Sequence, residues 1–384
     1  MVRDRVGQMF MIGFDGCHVS KELKEIVLHY DVGGVILFSR NINDPIQLAN
    51  LCNDLQNLSP HMPLFVSIDQ EGGRVSRLKY PFTEIPPPEL FGRRLEKEFN
   101  GMKKEKERNP EFSYENHEVV ALVRDLGRIV ARELRTVGIN MNLSPVLDVN
   151  TNPENPVIGD RSFGANPYVV SILGTALIKG FQENGVIATG KHFPGHGDTD
   201  RDSHRELPTV KQSAKRLKEV ELRPFVTAIG GGLEAIMTAH VLYPAWDRSM
   251  PATLSPKILR DLLRRTLRFK GLILSDDMEM GAIGDRYSIE EATVKAIKAG
   301  VDVVLIGGNL EKQERAIQST LRALNEGMIS EARIEESIYR IENLKNKYLL
   351  PYRPIDYNNV KAVIGCREHK EVVYRIQRTT GEAL

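Results

Sequence analysis

Short apolar runs alternate with longer amphipathic stretches along this chain. Eight runs read as strands: "GQMFMIGF" (7–14), "GGVILF" (33–38), "PLFVSID" (63–69), "INMNLSP" (139–145), "GVIATGK" (185–191), "EAIMTAH" (234–240), "GLILSD" (271–276) and "DVVLIG" (302–307). Each is continuously apolar rather than alternating, as expected of strands covered on both faces. Between them apolar residues recur at helical spacing. "SKELKEIVLHY" opens at Ser20, a predicted N-cap, and "DPIQLANLCNDLQNL" carries Pro45 near its start, where a missing N–H costs nothing. "YENHEVVALVRDLGRIVARELRTVG", "SPKILRDLLRRTLRFKG", "SIEEATVKAIKAG" and "ISEARIEESIYRIENLKNKYLL" read as helices too. A repeating strand–helix order predicts a parallel sheet. Eight strands predict an α/β fold, a single (β/α)8 barrel over residues 1–350, with an open doubly wound sheet as the alternative.

Two segments break the pattern. Residues 95–115, "LEKEFNGMKKEKERNPEFSYE", are strongly charged and read as an insertion in the loop after the third strand, partly mobile, serving as a lid or a partner contact. Residues 351–384 form a polar C-terminal tail.

Composition narrows the class. The 384 residues are 41% hydrophobic and 27% charged, ordinary for a globular protein, and the net charge of +1 gives no general attraction to nucleic acid or anionic membrane. Three widely spaced cysteines, Cys17, Cys52 and Cys366, suggest neither a disulfide framework nor a thiolate metal site. The N-terminus lacks the long apolar run of a signal peptide, and no stretch approaches the ~20 residues of a membrane span. The expectation is a cytoplasmic protein.

In a parallel barrel the loops leaving the C-terminal strand ends meet on one rim, where active sites are built. Here those ends are polar: "DQEGGRVSR", "SPVLDV", "KHFPGHGDTDRDSH", "HVLYP" and "SDDMEM". The third of these, residues 191–204, carries three histidines and three aspartates and reads as a loop facing a site. "LILSDD" sets Asp276 at the end of an apolar strand, held rigidly as a nucleophile should be. Asp276 or Asp277 also suits the cap of the following helix, and the two roles can be divided between them. In "DSH", Asp202 precedes His204 by two residues. A carboxylate on one imidazole nitrogen fixes the tautomer and leaves the other nitrogen to move a proton near neutral pH; the alternative is a solvated loop histidine. Lys191 and His192, at a strand end, are placed to grip a ligand or to hydrogen-bond the rim. His192, His196 and His204 with Asp198 or Asp202 could supply metal ligands. Their spacing in a Gly/Pro loop is not that of the helical H-E-x-x-H motif, so no metal or cofactor is expected. The glycines of "EGGR" and "GHG" match no Walker or Rossmann pattern, and Tyr243 and Trp246 either stack on a sugar or pack.

Four stretches, "SIDQEGGRVSRL", "IGDRSFG", "KHFPGHGDTDRDSHRELPTV" and "LILSDDMEMGAI", occur in this order and resemble the β-N-acetylhexosaminidases of glycoside hydrolase family 3. The resemblance runs from about residue 5 to residue 347. It implies a barrel that hydrolyses terminal, non-reducing β-linked N-acetylglucosamine with retention. It puts the nucleophile on Asp276 and the acid/base on His204 with Asp202 as its partner. Sugar-binding positions fall on Asp69, Arg77, Arg161, Lys191 and His192. It also implies a small carbohydrate substrate such as a muropeptide, cytoplasmic cell-wall recycling, and no nucleic-acid or membrane partner. The tail then resembles a truncated linker to a second domain of longer relatives.

The residue chemistry agrees with that resemblance. A retaining glycosidase usually employs two carboxyl groups; here a His–Asp dyad would take the second role, sparing Asp276 a like-charged neighbour. A phosphorylase on the same scaffold is the alternative, because a histidine repels incoming phosphate less than a carboxylate does. A sugar-binding protein without catalysis fits poorly with Asp276, Asp202 and His204 all present.

Overall fold

The computed structural model describes residues 2–59, 62–109 and 113–381. Eight parallel strands form its centre: β1 (Phe10–Gly13), β2 (Gly34–Leu37), β3 (Phe65–Ile68), β4 (Met141–Asn142), β5 (Ile187–Phe193), β6 (Ala235–Thr238), β7 (Leu272–Leu274) and β8 (Val304–Ile306). Neighbours pair in chain order from β1 to β7, and β8 returns to β1 through Phe10↔Val304, Met11↔Leu305 and Ile12↔Ile306. The remaining gap is joined by a parallel bridge, Leu274↔Val303, with the Ser275 N–H donating to the Val303 carbonyl at 3.0 Å. The sheet is therefore a (β/α)8 barrel and not an open sheet. Every strand falls within its predicted apolar run except β5, which continues through Phe193 and so carries Lys191 and His192 on the strand itself.

Helices cover the barrel, and their starts follow local chemistry. Ser20 Oγ accepts the Leu23 N–H at 3.1 Å at the head of the helix Lys21–Tyr30. Asp44 Oδ1 accepts the N–H groups of Ile46 and Gln47 at 2.8 and 2.9 Å, with Pro45 as the first helical residue. After β3 and β6 the chain makes short antiparallel hairpins, Gln70–Gly72 with Val75–Ser76 and Leu242–Tyr243 with Asp247–Pro251. No helix among the described residues is long and apolar enough to cross a membrane.

The charged segment expected as a partly mobile insertion is largely a helix. Glu89–Arg108 is helical and buries Leu90, Phe91, Leu95, Phe99 and Met102 along one stripe. Its charges form the opposite, solvated face, so a high charge content concealed an amphipathic element. Tyr114–Asn116 form a short 3-10 turn, and residues 110–112 lie outside the described set.

The tail packs on the barrel through the helices Tyr357–Val363 and Arg367–Thr380. The second buries His369, Val372 and Ile376 and contacts the helices Glu89–Arg108 and Glu118–Thr136. Glu133, itself buried, holds this junction. Its carboxylate accepts from Thr83 N and Oγ1 at 2.9 and 2.6 Å and from Gly365 N at 2.9 Å, and it lies 2.8 Å from His369 Nδ1. On the surface, Glu368 joins Arg128 and Arg132 at 2.6 Å each.

Two predictions follow from the packing. Leu95→Ala should lower the unfolding free energy by about 2–5 kcal/mol, because it empties a fully buried position. Urea titration checks this, and a surface-like change below about 0.5 kcal/mol would return the segment to a loosely attached lid.

Lys345 is the second case. Its ammonium is fully buried against Gln8 Oε1 at 2.8 Å and above the Phe65 ring. Burial pushes its pKa down to about 7, with Asp31 and Glu342 opposing weakly. The unfolded side chain holds its proton up to roughly pH 10.4. Between those values the unfolded state binds the extra proton, so this group costs stability increasingly as pH falls from 10 towards 7. The gain in Tm from Lys345→Met should accordingly be larger at pH 7 than at pH 10; a pH-independent difference would contradict the burial argument.

Candidate active site

The C-terminal strand ends surround a cavity of about 430 Å³ whose lining includes Asp69, Arg77, Arg161, Lys191, His192, Asp202, His204 and Asp276. All eight residues singled out from the sequence therefore meet in one place. A larger cavity of about 600 Å³ lies where the tail crosses the barrel, beside Cys52, Arg135 and Tyr352, and contains none of them.

One side of the site is a buried chain of charges. Lys191 Nζ donates to Asp69 Oδ1 at 2.7 Å and lies 2.6 Å from Glu71 Oε1. Glu71 in turn receives Arg161 through two parallel 2.8 Å bonds, from Nε and Nη2, and Arg77 Nη2 reaches Asp69 at 3.3 Å. Burial alone would raise the Glu71 carboxyl, but Arg161 and Lys191 outweigh it and hold it well below the usual range. Burial would likewise lower the Lys191 ammonium, and Asp69 and Glu71 reverse that. The hairpin that presents Glu71 is fixed by amide pairing. Asn142 on β4 accepts from Gln70 N at 3.0 Å and donates to Gln70 O at 2.9 Å, while Gln70 Oε1 accepts from Arg77 N and Leu78 N.

A second buried carboxylate, Asp148, lies in the segment after β4. Its Oδ2 is 2.7 Å from His192 Nδ1, and its Oδ1 accepts from His192 N and His196 N at 3.1 and 2.6 Å. His196 is enclosed, 3.0 Å from Ser203 Oγ and 2.9 Å from Thr199 Oγ1. Burial, then the neighbouring His192, push its pKa down to about 4, so it is a neutral fastener of the loop.

The two aspartates after β7 differ. Asp277 Oδ1 accepts from Glu279 N at 3.0 Å and Gly307 N at 3.2 Å, closing the turn. Burial, helped by Asp276 and Glu279, pushes Asp277 up to about 6. Asp276 is half-buried at the cavity wall; burial would raise it, but His192, His240, the Asp277 N–H and Lys191 together hold it low. It is therefore an ionised carboxylate on a rigid strand end, facing a polar cavity.

The "DSH" triplet lines the same cavity. His204 Nδ1 lies 2.9 Å from Asp202 Oδ1, which also accepts the His204 N–H at 2.9 Å. The His204 side chain is 63% exposed, so its other nitrogen is open to a leaving group or to water. Asp202 sits low because the His204 N–H and ring outweigh its partial burial. The triplet is tied to the chain beyond Asp276: Gly281 N donates to His204 O and Ala282 N to Ser203 O, both at 3.1 Å.

Other sequence-based readings resolve. Tyr243 is fully buried, donates to Gly195 O at 2.7 Å and packs its ring near Trp246, so it supports the loop and is not a sugar platform. His192, His196 and His204 do not converge as ligands. Among the described residues the one three-ligand grouping is Cys366, Glu368 and His369 on the tail, where Glu368 is held by two arginines and His369 faces Glu133. Two site carboxylates went unassigned from the sequence, Glu71 and Asp148. Their stretches, "DQEGGR" and "SPVLDV", stood out as polar strand ends, but nothing in the spacing tells a buried ion-pair partner from a solvated acid.

An α/β barrel with an ionised carboxylate at one strand end and a His–Asp pair lining the same polar pocket has the architecture of a barrel hydrolase. Comparison with known proteins makes this specific. Residues 1–344 match the model of the glycosyl hydrolase family 3 N-terminal domain. The chain is 34% identical over 374 residues to beta-hexosaminidase A of Pseudoalteromonas piscicida, covering 91% of this chain and 59% of that protein. It is 36% identical over 338 residues to the beta-hexosaminidase of Nitrosomonas eutropha, covering 87% and 91%. Among solved structures, a family 3 beta-N-acetylglucosaminidase from Paenibacillus sp. superposes with TM-score 0.89 at 38% identity, covering 99% of this chain and 69% of that one. NagZ from Neisseria gonorrhoeae, in complex with N-trifluoroacetyl-D-glucosamine, gives 0.75 at 30%, covering 97% and 98%. The chain belongs to glycosyl hydrolase family 3. It is a glycosidase.

The backbone tie between the triplet and Gly281 gives a test. A Cβ on Gly281 would stand 2.8 Å from the carbonyl oxygens of both His204 and Arg205. Gly281→Ala should displace the triplet and lower kcat/KM on an aryl glycoside by ~10- to 100-fold, as an ångström of misplacement does, with only a small change in Tm. Unchanged kcat/KM would show that the tie does not set the position of His204.

Proposed function

We propose that this protein is a retaining β-N-acetylhexosaminidase that removes terminal non-reducing N-acetylglucosamine through a covalent intermediate on Asp276. The observation that carries the reading is the shared cavity, lined both by ionised Asp276 and by the solvent-open His204–Asp202 pair. The names of the relatives support the choice of sugar. Asp276 attacks the anomeric carbon while imidazolium His204 protonates the leaving oxygen. Neutral His204 then takes a proton from a water whose oxygen attacks the anomeric carbon, the bond to Asp276 breaks, and the carboxylate leaves, which releases the sugar with its configuration retained. Asp202 keeps the Nδ1–H tautomer and stabilises the imidazolium. Asp69, Arg77, Arg161, Lys191 and His192 bind the sugar in the polar half of the cavity. Muropeptides of the cytoplasm are the substrate and compartment proposed with this reading, on the strength of the motif resemblance.

A fluorinated N-acetylglucosaminide analogue that traps the intermediate should label the peptide 271–280 on Asp276 and not on Asp277; labelling elsewhere would remove Asp276 as nucleophile. His204→Ala should still form the intermediate from a dinitrophenyl glycoside, whose leaving group needs no proton, and fail on a sugar aglycone. Azide should restore its turnover. Equal slowing of all substrates without azide rescue would mean that His204 shapes the site without moving protons.

A further inference from the structure

We propose that Asp148 is a positioning residue that sets the tautomer and direction of the His192 ring in the sugar-binding cavity. This deepens the reading above and rests on it for the identity of the sugar. His192 lines the cavity, whereas Asp148 is fully buried behind it. The 2.7 Å contact between His192 Nδ1 and Asp148 Oδ2 commits that ring nitrogen, so Nε2 is the nitrogen left for the cavity. A carboxylate can only accept, so Nδ1 carries a proton. Asp148 remains ionised although burial raises it, because the facing His192 and the His196 N–H outweigh that burial.

The same carboxylate fixes the backbone beneath the ring. Oδ1 accepts from the N–H groups of both His192 and His196, so ring and main chain share one anchor. Asp148 is itself held from two sides. Its carbonyl accepts from Ser162 Oγ at 2.6 Å, next to Arg161, and Leu147 N donates to Lys191 O at 2.6 Å. The residue thus joins the segment after β4, the turn carrying Arg161 and the end of β5. An ordinary loop brace would need the two backbone bonds alone. The additional bond to the ring nitrogen, aimed away from the cavity, is what a brace does not require.

The test has two parts. In the wild-type protein, 15N spectra of the histidine rings should show His192 protonated at Nδ1 with a hydrogen-bonded proton; an unprotonated Nδ1 overturns the proposal. This measurement needs no substrate and no variant. The second part is kinetic, on an aryl N-acetylglucosaminide. In Asp148→Asn the side-chain oxygen can keep the two backbone N–H groups while its NH2 faces the ring, which forces the proton to Nε2. Asp148→Asn should reverse the tautomer and lower kcat/KM by ~10- to 100-fold, the usual cost of removing such a partner. Most of the loss should appear in KM, because the ring contacts bound sugar. The double variant Asp148→Asn/His192→Ala should be no worse than His192→Ala alone. Fully additive losses, or an Asp148→Asn protein with wild-type kinetics, would show that Asp148 does not act through His192. If the wild-type protein released no N-acetylglucosamine, the proposed sugar would fall, while the ring spectra would still decide the role of Asp148.

Discussion

The barrel mouth depends on one buried cation. Lys191 Nζ stands between Asp69 and Glu71, residues that the hairpin after β3 brings to the same wall. Two carboxylates in such a position repel each other and would take up protons unless a positive charge lay between them. Glu71 in turn neutralises Arg161, and Asp69 engages Arg77. Removing one member of a buried set of this kind leaves an uncompensated charge and costs far more than the intact set contributes. The outcome is a wall of fixed dipoles and charges organised before any sugar arrives, which is the condition for electrostatic catalysis.

The His204–Asp202 part of the cavity is built on another basis. His204 and Asp202 are accessible to solvent, and backbone bonds to Gly281 and Ala282, together with the enclosed His196 behind Ser203, hold their loop. A group proposed to give a proton to a leaving aglycone and later to take one from water has to reach both, so it cannot be sealed like Lys191. The site thus combines a rigid, desolvated face of buried charges with a solvent-open face that carries the His204–Asp202 pair. Asp276, the proposed nucleophile, belongs to the rigid part, at the end of a strand whose next neighbour, Asp277, closes the turn.

Packing outside the site follows the same logic of paired charges and buried stripes. Glu133 collects four donors from two separate segments, the tail and the chain after the β3 hairpin. Through it, the tail is part of the cover of the barrel. The helix Glu89–Arg108 lies between barrel and tail, with Arg94 Nε donating to Thr379 O at 3.1 Å.

The sequence by itself determined the eight strands, their parallel order and the rim on which the chemistry gathers. Continuous apolar runs can be buried only in a sheet covered on both faces, and polar residues at the strand ends have one place to go. It also determined the residue types of the site, because Asp276 ends an apolar strand and Asp202 stands two residues from His204. The tertiary structure decided which acids are partners rather than reagents. Glu71, Asp148 and Asp277 read locally like any acidic residue near a glycine or a turn. Their roles come from burial and from donors 30 to 120 positions away, as with Lys191 on Glu71 and Gly307 on Asp277. It likewise decided that the segment 95–108 is a packed helix, since charge density reports the face turned to water while the buried stripe gains its meaning only from the helices it meets. Local pattern encodes what a residue can do; the field and the contacts that select one role are sums over distant parts of the chain.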